Sequence, residues 1–176
     1  MIKSKTLVQQ YDRESTEYEV IRFGTSGGRL IDKLQKKIVH DFLESPKNKK
    51  ILDAATGTGR FAIYLAKFGA KITACDLSEK MLHIGRNKAV ENKINVRFEI
   101  GNVEDLPYPT EMFDFVIAIR IMMHLKSPKR GLKEMKRVLK KGGYIIFEIP
   151  NRISPWAKLN KIFKIERKEI KNFHPT

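Results

Sequence analysis

One stretch constrains this chain more than any other: Lys50-Ile51-Leu52-Asp53-Ala54-Ala55-Thr56-Gly57-Thr58-Gly59-Arg60-Phe61-Ala62. A short apolar run ends in a carboxylate. Two glycines one residue apart then open an amphipathic pattern, with Phe61, Leu65 and Phe68 at i, i+4 and i+7. The order predicts a buried strand, a tight turn and a helix. It also predicts a ligand at the turn, since a side chain at Gly57 or Gly59 would fill space that a ligand lying against bare backbone needs. Taken alone, Gly57-Thr58-Gly59-Arg60-Phe61-Ala62 also satisfies a dinucleotide-binding pattern with alanine for the third glycine. Asp53 speaks against a dinucleotide, because a carboxylate at the strand end would repel a pyrophosphate.

Further units repeat this plan. Gly69 ends the first helix, and Lys71-Ile72-Thr73-Ala74-Cys75-Asp76 reads as a second buried strand that also finishes in a carboxylate. Asp76 lies 19 residues after Gly57, the spacing at which an acid meets the vicinal ribose hydroxyls of a nucleotide through charge-assisted hydrogen bonds. Its plainer role would be to cap the next helix, although Ser78 is the better cap. A helix from Ser78 to about Glu91 has Met81, Leu82 and Ala89 inward, and a strand from Val96 to Ile100 leads into Gly101-Asn102-Val103-Glu104-Asp105-Leu106-Pro107-Tyr108. Glu111 to Ile119 reads as a fourth strand. Ser127-Pro128 starts a helix with Leu132, Met135, Val138 and Leu139 on its apolar face, ended by Lys140-Lys141-Gly142-Gly143. Tyr144 to Asn151 is the fifth strand.

Asp53 to Gly59, Asp76, and Gly101 to Tyr108 follow strands in this order, and together they resemble the class I S-adenosylmethionine-dependent methyltransferases over roughly residues 48 to 151. Two positions depart from that pattern: Ala55 stands where glycine is commonest, and Asn102 where aspartate is usual. Alanine fits wherever φ is negative. The Asn102 amide oxygen still accepts a hydrogen bond from an adenine amine. The resemblance implies an α/β fold, Rossmann-like and doubly wound, with a mainly parallel sheet, helices on both faces and an N-terminal helical cap. It implies S-adenosyl-L-methionine as cofactor and S-adenosyl-L-homocysteine as product. The implied cofactor site comprises Asp53, Ala54, Ala55, Gly57, Gly59, Asp76, Leu77, Met81, Asn102, Val103, Glu104, Ile119 and Arg120. Tyr11 and Phe23 fall where N-terminal helices close over cofactor and acceptor. His124 is in principle a base for an acceptor proton, although a structural histidine is the commoner case, and the resemblance implies no metal.

The implied reaction moves the sulfonium methyl to an unidentified acceptor, a small molecule such as a quinone-like or other metabolite ring by resemblance to the small-molecule branch. Two alternatives stay open: an RNA methyltransferase using the basic C-terminal third, and a cofactor-binding subunit that is inactive or needs a partner. Charge bears on this choice. The net charge of +15 is uneven, with 16 Lys+Arg against 4 Asp+Glu from Arg120 to Thr176, an excess of 12, against 19 and 16 in residues 1 to 119. Nucleic acid, an acidic substrate or an anionic membrane would each fit such a surface, as would simple solvation by lysines. No aromatic residue interleaves with the lysines between Lys126 and Lys141, as a single-strand binder needs.

At 176 residues one domain is expected, divided into a helical cap (1–47), a cofactor core (48–151) and a helical extension (152–176). The cap reads as two helices, around Leu7 to Tyr18 and Arg29 to Leu43, joined by the glycine-rich stretch from Arg22 to Gly28. It serves as a lid or simply covers one sheet face. The polar first residues read as no signal peptide, no run reaches the ~18 apolar residues of a membrane span, and Cys75 reads as a buried thiol of a cytoplasmic protein. Trp156, Leu159, Ile162 and Phe163 have helical spacing. The 25 residues from Arg152 onward leave no room for the family's closing helix and antiparallel strand pair, which need roughly 50 residues. The fifth strand then becomes a sheet edge open to a homodimer.

Overall fold

The computed structural model describes residues 2–149, with side chains from Val8 onward. The expected strand end at Pro150 and Asn151 and the extension containing Trp156, Leu159, Ile162 and Phe163 lie outside the described residues. Three helices come first: α1 (Ile2–Glu14), α2 (Tyr18–Phe23) and α3 (Ser26–Phe42). Then follow β1 (Lys50–Ala54), α4 (Arg60–Ala66), β2 (Lys71–Asp76), α5 (Glu79–Glu91), β3 (Arg97–Ile100), β4 (Phe113–Ala118), α6 (Pro128–Val138) and β5 (Leu139–Phe147).

The strands pair in the order β3-β2-β1-β4-β5, all parallel, in the α/β architecture that the sequence implies. The chain builds outward from β1 to β3 and then returns to lay β4 on the other side of β1. That reversal opens a crevice at the carboxyl ends of β1 and β4, where open α/β sheets take ligands. Strands covered on both faces need apolar side chains at successive positions. In β1, Ile51 and Leu52 point to opposite faces and both are fully buried. Ile51 belongs to a cluster with Val39, Phe61, Leu65 and Ile117, and Leu52 to one with Val103, Phe113, Met135 and Val138. Among the described residues no strand pairs with the outer side of β5, and no helix is long and apolar enough to cross a membrane.

Several expectations need correction. The cap has three helices, and Thr25 caps α3 by accepting from the Gly28 N–H at 3.0 Å, so the expected glycine joint shrinks to Gly24-Thr25. Gly28 serves close packing instead: a Cβ there would lie 2.7 Å from the Arg22 carbonyl oxygen. α6 ends at Val138 rather than at Lys140 to Gly143, because Leu139 is already extended and Lys140 Nζ donates to Asp114 Oδ1 at 2.7 Å, drawing the segment beside β4. Leu139 then pairs with Phe113 and Tyr144 with Phe115, so a bulge containing Gly142 at φ 76° takes up the surplus. Phe68 is 44% exposed, since α4 stops at Ala66 before reaching it.

Asp53 ties β1 to α4. Its carboxylate, 3% exposed, accepts from Thr56 Oγ1 at 2.6 Å and from the Ala62 N–H at 3.0 Å. Burial pushes its pKa up from 3.8 to about 6, with those two hydrogen bonds opposing the shift. Ala55, in the turn that follows, adopts φ 59° and not the negative value expected of an alanine. A left-handed backbone costs an L-residue ~1–2 kcal/mol.

Ala55→Gly removes that strain while giving the unfolded chain more freedom, so urea unfolding should show a net gain of about 0.5–1 kcal/mol. Asp53 generates a second prediction. A carboxyl whose pKa is higher folded than unfolded adds stability that is complete below 3.8 and is lost as pH rises through about 6. The loss amounts to ~3 kcal/mol. Asp53→Asn keeps an acceptor oxygen and abolishes the titration, so the melting temperature of the variant relative to wild type should climb between about pH 4 and about pH 7.5. A difference that does not change with pH rules the linkage out.

Candidate functional site

The crevice is built from the loops that leave β1, β2, β3 and β4. In the first, Ala55, Gly57 and Gly59 all have positive φ, at 59°, 57° and 78°. The two glycines differ in purpose. A Cβ on Gly57 would meet nothing within 4 Å, so the backbone there faces open space, whereas a Cβ on Gly59 would lie 3.0 Å from the Phe98 ring. Gly59 therefore answers to packing against β3, not to the ligand space expected of it from the sequence. Ala54, beside the turn, is fully buried.

Asp76 at the end of β2 locks this loop. Its Oδ2 accepts from the Gly57 N–H at 2.9 Å and its Oδ1 from the Ser78 N–H at 2.9 Å. A carboxylate has about four lone-pair positions, so the backbone amides around Asp76 do not exhaust them. Burial raises the Asp76 pKa, and the amides of Ser78, Gly57 and Leu77 pull it back. Ser78 caps α5, accepting from the Met81 N–H at 3.1 Å, as its position predicts. Met81 is buried beneath, and Leu77 is 43% exposed.

In the third loop the Asn102 Oδ1 accepts from the Glu104 N–H at 3.0 Å, so this oxygen, expected to face an adenine amine, already has one donor within the loop. Val103 is buried, and Glu104 Oε1 accepts from the Ser127 N–H at 2.6 Å. α6 braces the loop from outside: Arg137 donates to the carbonyls of Leu106 and Tyr108 at 2.9 and 2.7 Å, and Glu134 Oε2 accepts from the Leu106 N–H at 3.0 Å. Sequence reasoning missed this brace, whose signal was the Glu134–Arg137 pair at i, i+3. Past β4, Ile119 is half-buried and Arg120 holds φ 64°.

The N-terminal helices lie across these strand ends. Tyr11 Oη is 3.3 Å from His124 Nε2, the Asp12 carboxylate accepts from Ser78 Oγ, the Glu19 carboxylate accepts from Thr58 Oγ1, and Lys88 Nζ pairs with Glu19 at 2.5 Å. No sequence signal marked Asp12, Glu19 or Lys88, because only the lie of α1 and α2 gives them partners. Phe23 sits elsewhere: its ring stacks on the Arg60 guanidinium 4.4 Å away, in the seam with α3, where Arg60 also binds Asp32 and Gln35. Burial pushes the Tyr11 hydroxyl up to about 12. Burial, then Arg120, then Arg22, push His124 down to about 4, so its imidazole is neutral at physiological pH. Among the described residues no group of three or more His, Cys, Asp or Glu side chains could hold a metal ion.

Comparison with known proteins gives this geometry a family. The model of the methyltransferase domain family matches residues 52–147. The ubiquinone biosynthesis O-methyltransferase of Coxiella burnetii is 30% identical over 106 residues, 60% of this chain and 45% of the relative. The demethylmenaquinone methyltransferase of Chlorobaculum parvum is 40% identical over 124 residues, 69% of this chain and 50% of the relative. The chain thus spans about half the length of the curated relatives it matches. A SAM-dependent methyltransferase of Thermotoga maritima superposes with a TM-score of 0.65 at 30% identity, over 88% of this chain and 67% of its own. A Pyrococcus horikoshii protein does so with a TM-score of 0.68 at 25% identity, over 85% and 68%. The crevice suits the cationic cofactor of that family, offering open space at Gly57 beside an acid whose lone pairs its amides do not exhaust. The chain belongs to the methyltransferase domain family, among the class I enzymes whose cofactor is S-adenosylmethionine.

Proposed function

We propose that this protein transfers the sulfonium methyl group of S-adenosylmethionine to a small aromatic acceptor of phenol or quinone type. The observation that carries this reading is the aromatic wall beneath the cap. Tyr11 stands edge-on to both Tyr18 and His124, with ring centroids 6.0 Å apart in each pair. Flat rings fit such a wall, and edge-to-face contacts favour them. The quinone-directed names of the curated relatives point the same way.

When bound, the cofactor supplies a methyl group on an already activated leaving group. The chain's own residues then orient and exclude water. Asp76 takes the ribose hydroxyls on the lone-pair capacity its amides leave, Gly57 lets the ligand approach the backbone, and Asn102, Val103 and Glu104 border the adenine. Ile119 and Arg120 flank the methyl end. Residues 1–47 form the cap, held down through Tyr11, Asp12 and Glu19. Asp53 acts from below the site by closing the turn.

The test is methyl transfer from S-adenosylmethionine to a panel of catechols and reduced quinones, read as S-adenosylhomocysteine formed, alongside calorimetric titration of the cofactor. Asp76→Asn should weaken cofactor binding by about tenfold or more while leaving the fold intact. Binding without transfer to any acceptor would favour the interaction-subunit reading instead.

A further inference from the structure

α3 carries two apolar faces, and its own core takes only one. Val39, buried in the cluster under the sheet, marks the packed face. Leu30, Leu34, Ile38 and Phe42 recur every four residues and form a second stripe turned away from it. Leu34, Ile38 and Phe42 are 49%, 65% and 53% exposed. A helix that already meets its core on one side has no use for such a stripe in water. The stripe runs beside β5. Phe42 stands edge-on to Tyr144 with ring centroids 5.6 Å apart, Tyr144 stacks in turn on Phe115, and Gln35 donates to Glu148 Oε2 at 2.9 Å. Tyr144 is itself exposed, and among the described residues no strand takes the outer side of β5. Helix stripe and strand edge thus make one surface, apolar side chains beside a row of open backbone N–H and C=O groups. A large side chain half in water exposes on the order of 100 Å², so Leu30, Leu34, Ile38, Phe42 and Tyr144 offer roughly 500 Å² before the strand edge is counted, against the ~800 Å² per partner of a standard interface.

We propose that this surface joins two copies of the chain: β5 pairs antiparallel with the β5 of a second copy about a two-fold axis perpendicular to the sheet, and the two α3 stripes pack on each other over the joined strands. An open strand edge calls for a strand, since lipid would leave its backbone groups unsatisfied. A two-fold contact must complement itself. Even spacing achieves this, because an antiparallel mate sets Leu34 against the partner's Ile38 and Leu30 against the partner's Phe42. Charge agrees at the edge. Lys141, exposed near the start of β5, comes alongside the partner's Glu148, just past the end of its strand. The net charge of +15 on each copy opposes association, so the apolar seam supplies the attraction.

Sedimentation equilibrium of the full chain, from about 1 to about 100 μM, tests this. Twice the 20.4 kDa mass of one chain is expected at the upper end. Ile38→Asp should weaken the dimer by about tenfold or more. The fold of the monomer, read by circular dichroism below the dissociation range, should be unchanged, since Ile38 already faces water there. Lys141→Glu should weaken the dimer by about fivefold, and Glu148→Lys placed in the same chain should restore it. A wild-type chain that stays monomeric at about 100 μM overturns the proposal, whether other residues of the same chain cover the face or, as flotation with phosphatidylglycerol vesicles would reveal, an anionic lipid surface takes it. A dimer that survives both Ile38→Asp and Lys141→Glu joins through another face and overturns it equally.

Discussion

A buried carboxylate holds the crevice in shape. The segment after β1 has Ala55, Gly57 and Gly59 in the left-handed region, a conformation with little intrinsic preference and no regular hydrogen-bond ladder. Asp53 closes it by accepting from Thr56 and from the Ala62 amide, one donor on each side of the turn. From there the order passes outward. The Gly57 amide binds Asp76, Asp76 binds the Ser78 amide, and Ser78 both caps α5 and meets Asp12 on α1. One run of hydrogen bonds therefore links two central strands, the glycine loop, a helix start and the cap. Moving any member displaces the bare backbone at Gly57.

The same connections sort charge across the site. Asp53, Asp76, Asp12 and Glu19 gather around the ends of β1 and β2, while Arg22 and Arg120 act together on Tyr11 and His124 near the end of β4. A cofactor that carries an ammonium and a sulfonium is attracted to the first region. Burial raises the pKa values of Asp53 and Asp76, and the neighbouring acids add only the smallest part of either shift.

Local features were legible in the sequence and long-range ones were not. The buried strands β1 and β2, the terminal acids Asp53 and Asp76, and Ser78 as cap depend on residues close in the chain, and periodicity and turn chemistry expose them. The φ of Ala55 depends on where the Asp53 carboxylate finds its donors, so an alanine that looked compatible with negative φ sits at 59°. Gly59 answers to Phe98 on another strand, and the end of α6 is drawn away by Asp114 on β4. Asp12 and Glu19 were invisible because a carboxylate on an N-terminal helix looks the same whether it faces water or a serine. Tyr11 and His124 were each singled out alone; only the fold brings them 3.3 Å apart.

A cap closed over a site must also open to admit a ligand, and the strength of its fastenings limits how. Among the described side chains, α1 and α2 reach the core through polar groups at Asp12 to Ser78, Glu19 to Thr58 and Lys88, and Tyr11 to His124. Such hydrogen bonds contribute roughly 1 kcal/mol each after exchange with water, and partly exposed ion pairs less. Val20 and Ile21 on α2 are 71% and 46% exposed, so the outer face of that helix adds little apolar anchorage. A few such contacts sum to far less than the packing that holds the sheet together. α3, by contrast, buries Val39, and the Leu43 that caps its end, in the core beneath it. The change from polar fastening to apolar packing falls at Gly24-Thr25, between α2 and α3.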